Sequence, residues 1–256
     1  MIFSKLHRVY VKCISNIIWL LEIFLFYPKL KKYYLELIKH NPTFLKTDGG
    51  VILDIGANKG QSVLFFKSIF PNSEIHAFEP SPSTLSELNK TIAKRKILKT
   101  FTYGYGISDC KSTLPFYESK LNETSSFNVP NENSKYLKRK NLILLTSRKN
   151  TLNPKMIKVE KLDEFINISR IAYVTVLKID VEGHERQVFD GATQFLKQNK
   201  ALVIQFERHA DDMRSDHSEY ISKLLVNAGY KHSKSIKHPF GEFYEELWIN
   251  SNCIVE

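Results

Sequence analysis

The sequence is poor in cysteine. It has three among 256 residues, Cys13, Cys110 and Cys253, far apart and without C-x-x-C spacing. An odd number of dispersed cysteines argues against a disulfide framework and against a cysteine-ligated zinc site. We therefore expect a protein of a reducing compartment, with a cytoplasmic location.

Long apolar runs are also lacking. The longest candidate, IIWLLEIFLFY at 17–27, has eleven residues, is interrupted by Glu22 and is flanked by lysines. A membrane-spanning helix needs about 20 apolar residues, and no small-x-small cleavage site follows the run. The sequence therefore predicts neither a membrane span nor a signal peptide here.

The same run predicts a helical arm at 1–45, ahead of a catalytic-type domain at 46–256. Two arrangements of the arm stay open. It packs on the domain or on a second subunit, which would make a dimer, or it lies in a membrane interface through residues 12–32 with its lysines on lipid headgroups. The second arrangement would place the protein peripherally on the cytoplasmic membrane face, and the oligomeric state stays undetermined.

The charge is not concentrated in one stripe. Thirty-seven basic and 27 acidic residues give a formal net charge of +10, with the lysines in many short clusters. A basic field attracts nucleic acid, anionic lipid and anionic substrates alike. The charge therefore predicts a solvated basic surface and does not select a partner.

Short apolar runs alternate with helical patterns after Pro42. The predicted strands are 51–54, 75–78, 101–105, 174–179 and 202–206, and the predicted helices are 61–70, 83–93, 185–198 and 219–227. This alternation predicts βα units and a mostly parallel sheet, with ligands bound outside the carboxyl ends of the strands. Residues 110–160 read as an irregular polar insertion.

The first strand ends in the loop LDIGANKGQS. Asp54 closes the strand, Gly56 and Gly60 bracket the loop, and a helix follows at once, so its N-terminus faces the ligand. The loop is neither a P-loop nor G-x-G-x-x-G, because Asn58 stands in place of the second glycine. Close approach to a diphosphate is therefore disfavoured.

The second strand ends at Glu79, in HAFEP. A carboxylate at this place in a dinucleotide fold accepts hydrogen bonds from ribose hydroxyls. A ligand that needs ribose contacts but no diphosphate cradle is S-adenosylmethionine, which is the cofactor that we expect.

Several segments together resemble the FkbM-type family of class I S-adenosylmethionine-dependent methyltransferases. They are DIGANKGQS at 54–62, HAFEPSP at 76–82, GISD at 106–109, SSF at 125–127, VEKLDEF at 159–165, LKIDVEGHERQVFDGA at 177–192 and the strand ending in Glu207. They span about residues 50–210, leaving the arm and the tail outside the signature.

The resemblance implies a Rossmann-like α/β fold, with a seven-stranded, mostly parallel sheet and helices on both faces. Its last two strands would form an antiparallel hairpin, for which 230–231 and 246–250 are the candidates. It also implies cofactor contacts from Asp54, the Gly56–Gly60 loop with Asn58, and Glu79. Ser108 and Asp109 compete for a contact with the adenine.

The segment LKIDVEGHE at 177–185 then becomes the acceptor side of the site. Methyl transfer needs a positioned acceptor oxygen and a group that removes its proton. We expect Asp180 or His184 to be this base, with Lys178 keeping a neighbouring carboxylate ionised or orienting the acceptor and Glu182 beside them. An alternative makes Asp180, Glu182 and Glu207 ligands of Mg²⁺.

The polar segment FERHADDMRSDH after the fifth predicted strand repeats this pattern. Glu207 or His209 is a candidate acceptor contact there, and a metal-ligand role for the segment is a weaker reading.

The resemblance implies O-methylation of a hydroxyl on a sugar, glycan, glycolipid or secondary metabolite. An RNA methyltransferase is an alternative, but the sequence lacks a recognisable RNA-binding module, so nucleic acid is not expected. A NAD-linked dehydrogenase is disfavoured by Asn58. A non-catalytic binding protein on the same fold is a third alternative, against which the intact motifs argue.

Overall fold

A computed structural model describes residues 10, 13, 14, 17, 22–40, 50–118, 125–128, 154–209, 217–239 and 243–253. The strands are β1 Val51–Ile55, β2 Glu74–Phe78, β3 Thr100–Tyr103, β4 Gly106–Ile107, β5 Ser112–Phe116, β6 Lys155–Glu160, β7 Val174–Ile179, β8 Ala201–His209, β9 Tyr230–Lys237 and β10 Phe243–Asn250. The α-helices are α1 Tyr27–His40, α2 Gln61–Lys67, α3 Pro82–Arg95, α4 Leu162–Ser169, α5 Glu185–Asp190, α6 Thr193–Lys197 and α7 Ser218–Asn227. A π-helical turn, Glu22–Phe26, leads into α1, and a 3-10 turn, Ser251–Cys253, follows β10.

Seven strands form the main sheet, in the order β3-β2-β1-β7-β8-β10-β9. β10 runs antiparallel to both of its neighbours, and the other pairs are parallel. The predicted seven-stranded, mostly parallel sheet with a terminal hairpin is therefore confirmed. The carboxyl ends of β1, β2, β7 and β8 lie at one edge, where ligands bind in such sheets.

Helices cover both faces of the main sheet. Successive residues of a strand point to opposite faces, so strands that are apolar throughout need a helical layer on each side. Leu53 and Leu177 pack with α4, α5, α6 and α7 on one face. Ile52 and Val176 pack with α1, α2 and α3 on the other. Asp54 and Lys178 continue this second row, so they face the layer that contains α1 and α2.

The described part of the arm packs on the domain. Leu30, Tyr34 and Leu37 of α1 are buried, and the Tyr34 ring lies edge-on to Phe65, Phe66 and Phe70 at centroid distances of 6.0 to 6.2 Å. Residues 18–21 of the apolar run at 17–27 lie outside the described residues, and Ile17 and Phe24 within the run are exposed. No described helix combines the length and the apolar character that crossing a bilayer requires.

Two adjacent tyrosines, Tyr33 and Tyr34, link α1 to the main sheet by hydrogen bonds whose contributions to stability can be compared. Tyr34 donates a 2.7 Å hydrogen bond to Gln205 Oε1 in the core, and Tyr33 donates one of equal length to Ser233 Oγ near the surface. We expect Tyr34→Phe to lower the free energy of unfolding by about 1–3 kcal/mol, since it leaves a buried acceptor unpaired. Tyr33→Phe is the matched control with a smaller loss, because water reaches Ser233. Urea unfolding of both variants tests this, and equal losses would contradict it.

Three local predictions are corrected. The single helix expected at 185–198 is two helices, because the Asp163 carboxylate accepts the backbone N–H groups of Gln194 and Phe195 and so begins a new helix after Gly191. The third strand ends at Tyr103 rather than residue 105. The insertion at 110–160 is not irregular at its ends, where β5 and β6 pair antiparallel in a three-stranded sheet with β4.

Candidate active site

A cavity opens at the carboxyl ends of the central strands, beneath α1 and α2. Its lining includes Phe26, Tyr27, Leu30, Gly56, Ala57, Asn58, Gln61, Glu79, Gly106, Ile107, Lys178, Asp180, Glu182, Gln205, Glu207, His238 and Glu245. The glycine loop and the residues after β7 therefore border one space, as the sequence predicted.

The glycine loop is shaped by two close backbone approaches. A Cβ atom at Gly56, where φ is +84°, would lie 1.8 Å from the Asp180 carbonyl oxygen. The Gly56 and Ala57 N–H groups both donate 3.0 Å hydrogen bonds to the Phe78 carbonyl. Glycine at position 56 therefore allows the ends of β1, β2 and β7 to converge.

Glu79 holds this loop. Its Oε2 accepts the Asn58 N–H at 3.0 Å, and its Oε1 accepts the Ser81 N–H at 2.9 Å. Burial raises the pKa of Glu79 to about 7. The two backbone hydrogen bonds and the Lys178 charge lower this pKa, but burial has the larger effect. A carboxylate oxygen accepts more than one hydrogen bond, so Glu79 can support the loop and also bind ligand hydroxyls.

Two amide oxygens beside the loop lack protein donors. Asn58 Oδ1 and Gln61 Oε1 are buried without a hydrogen-bond partner among the described residues, and both residues line the cavity. Buried acceptors are nearly always paired. They therefore indicate a ligand with N–H or O–H donors, as the ammonium, amino and hydroxyl groups of S-adenosylmethionine would provide.

Lys178 is a buried cation between two carboxylates. Its Nζ lies 3.3 Å from Asp54 Oδ1 and 3.2 Å from Asp180 Oδ2, and donates a 2.8 Å hydrogen bond to the Gly56 carbonyl. Burial alone would lower its pKa, but the charges of Asp180 and Asp54 raise it above the ordinary value for lysine. Lys178 is thus a fixed positive charge that orients Asp180. Asp54 also accepts a 2.5 Å hydrogen bond from Ser62 Oγ.

A second polar row crosses the sheet beside Lys178. Gln205 accepts the hydrogen bond from the Tyr34 hydroxyl at its Oε1, and its Nε2 donates a 3.0 Å hydrogen bond to Glu245 Oε2. Burial and the Asp180 charge raise the pKa of Glu245 to about 7. Sequence reasoning missed Gln205, Glu245 and Tyr27. For Gln205 a signal existed, since a polar residue in the apolar run LVIQF points to the same face as Glu207.

The turn after β7 is strained and internally braced. Glu182 has φ of +55°, a left-handed conformation that is unfavourable outside glycine, and Gly183 follows with φ of +91°. The Glu185 carboxylate accepts the Gly183 N–H at 3.0 Å, and Ser126 Oγ donates to the Glu182 carbonyl at 2.7 Å. This bracing presents Glu182 to the cavity, and Glu185 has a structural role.

His184 lies elsewhere. It is buried against Phe127, with its Nε2 3.0 Å from Ser108 Oγ, and burial lowers its pKa to about 4. The described residues that line the cavity include Gly106 and Ile107 but not Ser108, Asp109 or His184. The geometry therefore does not support the predicted roles of His184 as base or of Ser108 and Asp109 as adenine contacts.

Glu182, Glu207 and His209 converge at the acceptor side. One ligand-type atom from each lies within 4.8 Å of the other two. Burial raises the pKa of Glu207 to about 7. Burial alone would lower the pKa of His209, but Glu207, Glu182 and Glu185 raise it to about 10. Of the predicted magnesium ligands, Glu182 and Glu207 belong to this cluster, whereas Asp180 is paired with Lys178.

A family model described as the methyltransferase FkbM domain matches residues 54–232, more than half of the chain. The chain belongs to the FkbM methyltransferase family. The match contains the glycine loop, Glu79, the turn after β7, Glu207 and His209, whereas α1 and β10 lie outside it.

Curated relatives of this FkbM-family chain are methyltransferases. Methyltransferase 1 of Beauveria bassiana is 27% identical over 56% of this chain and 59% of its own length. The hexuronic acid methyltransferase AglP of Haloferax volcanii is 24% identical over 70% of this chain and 62% of its own. Methyltransferase sdnD of Sordaria araneosa is 29% identical over 56% of this chain and 60% of its own. The chain thus covers about three fifths of these relatives.

A solved structure supports the fold. The methyltransferase FkbM of Methylobacillus flagellatus KT superimposes with a TM-score of 0.52 at 16% identity, over 79% of this chain and 44% of that chain. At this identity the likeness concerns the fold alone.

Proposed function

We propose that this FkbM-family chain is an S-adenosylmethionine-dependent methyltransferase that methylates a hydroxyl of a sugar, glycan, glycolipid or secondary metabolite. The observation that carries the proposal is that one cavity joins the glycine loop and Glu79 to Asp180 at the end of the neighbouring strand. The family match and the methyltransferase relatives support the reaction class.

Residues of the glycine loop would hold the cofactor. Glu79 would accept hydrogen bonds from ribose hydroxyls, and Asn58 Oδ1 and Gln61 Oε1, which have no partner among the described residues, would accept hydrogen bonds from cofactor N–H groups. Asp54 would contribute indirectly. Its carboxylate accepts a hydrogen bond from Ser62 and pairs with Lys178, and these contacts fix the end of β1. When bound, S-adenosylmethionine supplies a methyl group activated by a sulfonium centre.

Asp180 is the proposed base. Its side chain is 34% exposed, lines the cavity and is fixed through Oδ2 by Lys178. It would take the proton from the acceptor hydroxyl, while the fixed Lys178 charge holds the carboxylate in place. General-base catalysis of this kind contributes about 10²–10⁴ in rate.

The charge of the cavity bears on the acceptor. Its described lining carries five carboxylates, from Glu79, Asp180, Glu182, Glu207 and Glu245, against one lysine and no arginine. The carboxylates of this lining that are ionised at neutral pH would repel phosphates, which favours a hydroxyl of a neutral group over RNA. An acceptor carboxylate, such as that of a hexuronic acid, would need a neutralising cation nearby.

Titration calorimetry with S-adenosylhomocysteine tests the cofactor half. Because the pKa of Glu79 is about 7 and the ionised carboxylate is the better acceptor for ribose hydroxyls, protonation below pH 7 should weaken binding. We expect the affinity to fall about tenfold between pH 8 and pH 6. The thioether of this ligand is neutral, so the profile does not include the attraction between a sulfonium charge and the other carboxylates of the cavity.

Glu79→Gln should weaken binding roughly ten- to hundredfold, since a hydrogen bond to a charged group contributes about 1.5–3 kcal/mol, and should flatten the pH profile. Glu87→Gln is the matched control, because Glu87 is an exposed residue paired with Lys59. Absence of binding of either S-adenosylmethionine or S-adenosylhomocysteine to the wild-type chain would refute the proposed function.

A further inference from the structure

The cluster Glu182, Glu207 and His209 has the spacing of a metal site. Bonds of about 2.1 Å place adjacent ligand atoms of an octahedral cation about 3 Å apart and opposite ones about 4.2 Å apart. The three ligand atoms lie within 4.8 Å of one another, so small side-chain movements would bring them onto one ion.

His209 is buried and its ring nitrogens lack hydrogen bonds. The residue is 4% exposed, and neither Nδ1 nor Nε2 has a hydrogen-bond partner among the described residues. Nε2 lies 2.8 Å from Glu207 Oε2, a contact close enough for an ion pair but without hydrogen-bond geometry. A separation of this size is also that of two adjacent ligands on one cation.

The surroundings suit a cation. Glu182 and Glu207 line the cavity, His209 lies behind them against Phe243, and Asp180 and Glu245 add negative charge nearby. On metal binding the imidazole of His209 would release its proton, and two carboxylates with a neutral imidazole would then give a divalent ion a neutral ligand shell. The strained left-handed turn that presents Glu182 is a further feature typical of a functional site.

The donor set selects the kind of cation. Mg²⁺ prefers an all-oxygen shell, whereas imidazole favours Zn²⁺ and other first-row metals, and Mn²⁺ accepts carboxylate and imidazole together. The imidazole therefore moves the preference away from the Mg²⁺ expected from sequence.

We propose that Glu182, Glu207 and His209 bind a first-row divalent cation, Mn²⁺ or Zn²⁺, at the acceptor side of the cavity. Three protein ligands leave coordination positions open, as in catalytic rather than structural metal sites. The role follows from the proposed function and rests on it: the cation would bind the acceptor oxygen and lower the pKa of its hydroxyl, whose proton passes to Asp180. It would also neutralise the lining for an acceptor that carries a carboxylate.

Metal binding can be measured without cofactor or acceptor, so its failure is distinct from failure of the proposed function. The full chain is stripped with EDTA and dialysed, and Mn²⁺ is titrated while the electron paramagnetic resonance signal of free Mn²⁺ is followed. Zn²⁺ is measured by competition with a chromophoric chelator. We expect one equivalent to bind with a Kd on the order of 10 µM or tighter, and Mg²⁺ to compete poorly.

Ligand variants locate the site. Glu182→Gln and His209→Asn should each weaken Mn²⁺ binding at least about tenfold, with circular dichroism and melting curves checking their fold. Glu245→Gln is the matched control, since it removes a carboxylate from the same cavity but not from the ligand set, and should weaken binding by less than about threefold. A Kd above about 1 mM for both metals, or equal losses in Glu182→Gln and Glu245→Gln, would overturn the proposal.

Discussion

Lys178→Met is expected to cost about 3–5 kcal/mol of the free energy of unfolding, because it leaves an uncompensated buried charge. Asp54 has no exposed surface and depends on Lys178 and Ser62 for its partners, and Asp180 would lose the cation that orients it. A domain of this kind has about 5–15 kcal/mol of stability in total. Urea unfolding should therefore show a large drop in the transition midpoint.

The double variant Asp54→Asn/Lys178→Met identifies the cause. If the loss of stability in Lys178→Met comes from the unpaired, buried Asp54 carboxylate, the double variant should be more stable than Lys178→Met alone, and a double-mutant cycle would show this. Lys223→Met is the surface control, since Lys223 pairs with Glu219 in the open and exposed pairs contribute little. Lys178→Met within about 1 kcal/mol of wild type would show that the pair is not a stabilising element.

Asp180→Asn is expected to reduce methyl transfer by about 10²–10⁴, because the amide cannot accept the hydroxyl proton. The assay follows label from methyl-labelled cofactor into glycan, lipid or RNA of an extract from the source organism. The variant should keep its fold, since Asp180 is partly exposed and Lys178 retains Asp54. It should also keep binding S-adenosylhomocysteine, which separates a lost base from a damaged cofactor site.

Asp190→Asn is the matched control for this assay. Asp190 closes α5 and contacts Arg186 and Tyr220 outside the cavity lining, so the variant should transfer label at the wild-type rate. Unreduced transfer by Asp180→Asn would assign the base to another group.

The proposed cofactor half of the site could be predicted from the sequence because its parts are local. Gly56, Asn58 and Gly60 occupy one strand-to-helix turn, and Glu79 ends the next strand, paired in parallel with β1. The order of these motifs places them at one edge of a parallel sheet whatever the details of packing. The same logic predicted the position of Asp180.

The acceptor half is not local in sequence. Gln205 and Glu245 meet through the register of β8 with the antiparallel β10, and Tyr27 arrives from the arm, so their proximity depends on strand pairing and helix docking. His184 illustrates the converse. It is close to Asp180 in sequence, but the left-handed backbone at Glu182 and Gly183 sends its ring toward Ser108, and residue spacing does not encode this reversal.

One wall of the cavity comes from a segment that precedes the family match. Phe26, Tyr27 and Leu30 border the same space as the glycine loop, yet they precede residue 54, where the family match begins. Mutation or exchange of the segment that carries them would remodel the cavity without altering the glycine loop or Glu79. One wall of the cavity thus lies inside the family match and another lies outside it, so a change in the second alters the space available to an acceptor while the matched residues stay the same.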